Sequence, residues 1–110
     1  MKKVLIALMF TIISLNTMAS GSVMLNGKTI KTKQDLHKIL AKDLHFPKYY
    51  GNNLDALFDT LVVDVSGETI IKLKFIDIMK KRLGSEYVDT LIETLSEAAD
   101  ENAKVILVFE

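Results

Sequence analysis

The chain has 110 residues, 14 basic and 14 acidic groups, and no cysteine. That length fits a single small domain, and the missing thiols exclude disulfide staples and thiolate zinc sites. Stability must therefore come from an apolar core alone, for which the frequent Leu, Ile, Val and Phe supply the material.

Lys2 and Lys3 lead into an apolar or small run from Val4 to Leu15, followed by Asn16-Thr17-Met18-Ala19-Ser20-Gly21. A basic start, a short apolar centre and a small-residue exit predict a secretory signal peptide over residues 1–21, cleaved after Ala19, Ser20 or Gly21. The run falls short of the roughly 20 apolar residues that span a bilayer. No cysteine follows it to carry a lipid. An uncleaved anchor and a buried strand are the alternatives. Cleavage would leave a domain over 22–110 with 12 basic and 14 acidic groups, located in the periplasm or secreted, without stable membrane association. A slightly acidic domain is a poor match for nucleic acid, because phosphate binding draws on clustered Lys and Arg.

Val23-Met24-Leu25 reads as a short strand closed by the turn dipeptide Asn26-Gly27. Thr32 stands at a helix N-cap with Asp35 in the first turn, and Leu36, Ile39, Leu40 and Leu44 recur at helical spacing. Pro47 stops that helix and disfavours a helical backbone at Phe46. Asn52 or Asn53 caps a second helix with Leu54, Leu57 and Leu61 inward and Phe58 at the margin. Ser66-Gly67 breaks the chain before a central strand over Thr69–Phe75.

A short helix from Ile76 to Leu83 ends at Gly84, and Ser85 is the expected cap of the longest helix. Val88, Leu91, Ile92, Leu95, Ala98 and Ala99 form its inner face. Its outer face is acidic, with Glu86, Asp89, Glu93, Glu97 and Glu101. The continuous apolar run Val105–Phe109 reads as a strand covered on both sides or placed centrally. Helical crossovers between strands favour parallel pairing, so the expected fold is α/β, a three-stranded parallel sheet with four helices.

The richest segment runs from Pro47 to Asp59. It places Tyr49, Tyr50, the turn glycine Gly51 and two carboxylates on one loop and helix start. Asp55 and Asp59 lie four apart on one helical face, where like charges cost about 0.2–0.5 kcal/mol, and no basic residue from Leu54 to Val63 relieves them. Asp55 in a first turn complements the helix dipole, which is a structural role; Asp59 lies a full turn further in and has no such role. The bland reading of both is a solvated face. Positions 55, 58, 59 and 62 share one stripe, which sets an aromatic ring beside two acids, a composition suited to a protein interface. Tyr50 is expected to cover the end of the core with its hydroxyl reaching water. Gly51 is expected to supply a positive φ, and Glu97 matters only if the fold sets it beside Asp59.

His37 and His45 have no companion ligands at metal spacing, so neither a metal nor a cofactor is expected. Two carboxylates can act as acid and base in glycoside hydrolysis, but no nucleophile setting, phosphate loop or cleft-forming second element accompanies them. The chain does not read as an enzyme.

The run Tyr49-Tyr50-Gly51-Asn52-Asn53-Leu54-Asp55-Ala56-Leu57-Phe58-Asp59, with Asp35-Leu36-His37 and Val23–Gly27, resembles the barstar family, small inhibitors of barnase-like bacterial ribonucleases. The resemblance extends from Val23 to Phe109 and implies the same three-stranded parallel sheet. It also implies that Asp59 enters the enzyme's phosphate site, that Asp55 meets a neighbouring basic or catalytic group, and that Tyr49 packs over the enzyme's histidine region. Gly51, Asn53 and Leu54 would line the loop contact, with Phe58 at a position that often holds tryptophan and Glu97 at a further acidic contact. Val62 and Asp64 replace different interface-lining residues of the family, and an export signal departs from its intracellular habit. The implied function is an exported, monomeric inhibitor of a basic ribonuclease. The alternative is a binding or immunity module for another cationic secreted protein.

Overall fold

A computed structural model describes residues 21–110. The predicted leader lies outside the described residues except for Gly21, which opens the first strand. In chain order the elements are β1 (Gly21–Asn26), α1 (Lys33–Asp43), α2 (Leu54–Asp59), a π-helical turn (Thr60–Asp64), β2 (Thr69–Lys74), α3 (Ile76–Leu83), α4 (Ser85–Glu101) and β3 (Val105–Phe109). The sheet order is β1-β2-β3, and both pairings are parallel.

Helical crossovers force this arrangement, since a parallel pair cannot be closed by a hairpin. β2 is central, as its β-branched sequence predicts. β3 is not: it forms an edge, with Ile106 40% and Phe109 53% exposed. A three-stranded sheet has only one strand with two neighbours, and Thr69–Lys74 takes that place. Along β2 the side chains alternate. Thr69, Ile71 and Leu73 are buried, while Ile70, Lys72 and Lys74 are half-buried.

The core gathers Val23 and Leu25 from β1, Leu36 and Leu40 from α1, Leu57 and Leu61 after the loop, and Met79, Val88, Leu91 and Leu95 from α3 and α4. Each of the leucines is fully enclosed, so truncating any of them to alanine would cost about 2–5 kcal/mol.

Caps set the helix boundaries. Thr32 Oγ1 accepts from Asp35 N at 3.0 Å, and Asp35 Oδ2 accepts from Thr32 N at 3.2 Å, a reciprocal capping box. At the start of α4 the junction residue is Gly84, not Ser85. Gly84 has φ +96° and both ends α3 and opens α4, so Ser85 already lies inside the helix.

Candidate functional site

Asn53 rather than Asn52 caps α2: its Oδ1 accepts from Ala56 N at 2.8 Å. The left-handed residue of the loop is Asn52, φ 56°, and Gly51 is not at positive φ. Asparagine tolerates that conformation through its short polar side chain, which frees Gly51 for a different task. A Cβ at Gly51 would stand 3.3 Å from both Ala56 Cβ and Asn53 Nδ2, so the absent side chain lets the loop lie close on the helix start.

After Asp59 the helix widens. Val65 N bonds to Thr60 O at 3.2 Å, five residues back. That register leaves the Leu61 carbonyl without its usual partner, and Asn102 Nδ2 supplies one at 2.9 Å from the end of α4. The turn holds Val62 half-buried against the core and leaves Val63 76% exposed. It also points Asp64 at the loop, where Tyr49 Oη donates to Asp64 Oδ1 at 3.3 Å. The Asp64 charge, with lesser desolvation and hydrogen-bond contributions, raises the Tyr49 phenol above its ordinary value.

Leu54, Asp55, Phe58 and Asp59 line an open cleft whose opposite wall is Thr94 and Glu97 of α4. The condition set for Glu97 is therefore met, because α2 packs on α4 and brings Glu97 to the same cleft as Asp59. Among the described residues, Asp55, Asp59 and Glu97 take part in no ion pair and no side-chain hydrogen bond. The ion pair among those residues joins Lys80 to Asp89 at 3.2 Å, between α3 and the N-terminal half of α4. Three carboxylates thus converge on one cleft with no ion-pair partner among the described residues.

Tyr49, Gly51, Asn53 and Val62 do not line that cleft. They occupy the loop and turn that flank it, with Tyr49 76% exposed. Thr94 is a cleft residue that the sequence reading misses. Its signal is the spacing Thr90, Thr94, Glu97 on one helical stripe, with Thr94 Oγ1 donating to Thr90 O at 2.7 Å.

Tyr50 departs from expectation in its hydroxyl. The ring covers the core and meets Phe46 edge-on at 4.8 Å, yet the side chain is only 7% exposed. Its Oη lies 2.6 Å from His37 Nδ1 instead of reaching water. Burial pushes the Tyr50 phenol far up and the His37 imidazole below its ordinary value. Among the described residues, no set of three His, Cys, Asp or Glu is placed to hold a metal ion.

The profile of the barstar (barnase inhibitor) family matches residues 21–110. The chain is also 37% identical over 79 residues to YrdF of Bacillus subtilis (strain 168), a protein whose name marks it as a candidate ribonuclease inhibitor. That match covers 72% of this chain and 86% of the relative. A three-stranded parallel sheet, four helices and a family match over every described residue lead to one assignment: the chain belongs to the barstar family.

Proposed function

We propose that this protein is an exported inhibitor of a basic ribonuclease and blocks the enzyme's active site with carboxylates in place of RNA phosphate. The observation that carries this reading is the cleft where Asp55, Asp59 and Glu97 meet without an ion-pair partner among the described residues.

A ribonuclease must present Lys, Arg and His to hold a phosphodiester, so its active site is a cluster of hydrogen-bond donors and positive charge. Asp59, a full turn into α2 and exposed, enters that cluster and takes charge-assisted bonds from it. Asp55 meets a neighbouring basic group, and Glu97 extends the negative field across the cleft. Phe58, half-buried beside both aspartates, supplies apolar contact that excludes water around the charges. Tyr49, held by Asp64, offers an exposed ring at one flank, and Gly51, Asn53, Leu54 and Val62 complete the contact surface.

Opposed charge fields also speed the encounter and make it salt-sensitive. Export rests on the leader composition of residues 1–21. The family membership and the inhibitor-named relative support the ribonuclease as partner.

The test is cleavage of RNA by barnase with increasing amounts of the purified protein. Activity is expected to vanish near one inhibitor per enzyme. Undiminished activity at excess inhibitor, repeated with other guanyl-preferring bacterial ribonucleases, would refute the reading. Mature N-terminal sequencing from fractionated cells tests export, with Ser20, Gly21 or Ser22 expected as first residue.

A further inference from the structure

The buried polar chain Tyr87–His37–Tyr50 has no part in the contacts just described. His37, on α1, is 2% exposed. Its Nδ1 lies 2.6 Å from Tyr50 Oη and its Nε2 lies 2.9 Å from Tyr87 Oη. Two hydrogen bonds thus join α1, α4 and the loop that carries Tyr49 and Gly51. A cavity whose lining includes Lys33, Asn52, Asn53 and Tyr87 opens beside the imidazole.

We propose that His37 and Tyr87 are positioning residues for partner binding, holding Tyr50, and through it the Tyr49–Asn53 loop, only while His37 is neutral. The proposal rests on the inhibitor reading of that loop.

A neutral imidazole has one N–H and one lone pair, and two phenol hydroxyls can satisfy both. Protonation turns both ring nitrogens into donors. Whichever hydroxyl had been donating to the ring then loses its acceptor. With Nδ1 as the lone-pair atom of the neutral ring, Tyr50 is the donor, and protonation leaves its buried O–H with no second acceptor among the described residues. In that tautomer the Tyr50 bond is the one that the added proton disrupts.

The groups facing the ring do not soften this. The loop contributes Tyr50, and α4 contributes Tyr87. On α1 itself Lys33 lies one turn earlier, with its Nζ 4.5 Å over the Tyr87 ring. The start of α2 contributes the uncharged Asn53 and Leu54, and β1, packed on α1, buries Val23 and Leu25. Among the described residues no carboxylate lines the cavity beside the imidazole; Glu86, next to Tyr87 on α4, lines the neighbouring cavity with Lys33 and Tyr87 instead. Burial accordingly holds the His37 pKa below 6.5.

The test has two arms. An NMR titration of the purified protein, from roughly pH 7.5 to 4.5, follows the His37 ring and the amides of residues 49–53. One shared midpoint below 6.5 is expected, and loop amides indifferent to the His37 midpoint overturn the proposal. Affinity for barnase is then measured over the same range for the wild type and His37→Gln. Below the midpoint the wild type is expected to lose affinity more steeply, by up to about tenfold per pH unit, one proton's worth. Parallel profiles overturn the positioning role and leave the inhibitor reading standing. Coupled NMR midpoints without binding to barnase or to other guanyl-preferring bacterial ribonucleases at neutral pH support the coupled chain and refute the inhibitor reading.

Discussion

The acidic cleft and the tyrosine–histidine chain adjoin along the sequence and follow opposite rules. In the chain Tyr87–His37–Tyr50 each buried polar side chain has a partner, and no buried side-chain nitrogen or oxygen among the described residues is left without one. In the cleft, Asp55, Asp59 and Glu97 have none among those residues. Tyr49 and Tyr50 show the same divide at adjacent positions, 76% and 7% exposed. Burial makes satisfaction compulsory, because an orphaned polar group inside the fold costs about 1–3 kcal/mol. Exposure lets charge remain unpaired at little cost to folding, and that unpaired charge is available to a cationic enzyme.

Asp59→Ala gives the sharpest break between the two regions. Affinity for barnase should fall by about 2–5 kcal/mol, the usual result of truncating one member of a desolvated charge pair. Stability in urea should move by no more than about 0.5 kcal/mol. Tyr50→Phe should do the reverse in emphasis, lowering stability by about 1–3 kcal/mol by leaving His37 Nδ1 without its partner. Tyr49→Phe, which removes only an exposed bond to Asp64, should stay within about 0.5 kcal/mol on the same unfolding curve.

Acidity should also separate the regions. The folded His37 has its pKa below 6.5, so as pH falls through 6.5 the unfolded chain takes up a proton that the folded chain refuses. Stability is therefore lost on acidification, by at most about 1.4 kcal/mol per pH unit, until the folded value is passed. His37→Gln should flatten this slope in denaturant midpoints measured across the range. The smallest effect belongs to Asp59→Asn. Removing one of two like charges a turn apart should raise stability by about 0.2–0.5 kcal/mol, visible as a small rise in thermal midpoint.

Local chemistry made much of this legible from sequence. Thr32 with Asp35, Pro47 and Gly84 mark helix boundaries within a few residues of themselves, and the Asp55/Asp59 pair is a one-turn relation. The features that escaped depend on partners far along the chain. Tyr50's hydroxyl finds His37 13 residues back, and His37 finds Tyr87 50 residues on. The π-helical turn is held by Asn102, 41 residues beyond Leu61. β3 reads as central or covered on both sides because its composition is apolar throughout, yet edge or centre depends on strand order, which no single strand encodes. Gly51 illustrates a subtler case: the turn does need a positive φ, but the neighbouring Asn52 carries it.

The central claim is that these carboxylates occupy the place of RNA phosphate, and competition tests it most directly. Barnase is titrated with the purified protein at rising concentrations of guanosine 3′-monophosphate, and binding is followed by calorimetry. The account predicts that the nucleotide and the protein exclude one another, with apparent affinity falling in proportion to nucleotide occupancy. A stable ternary complex, with affinity indifferent to nucleotide, would contradict it.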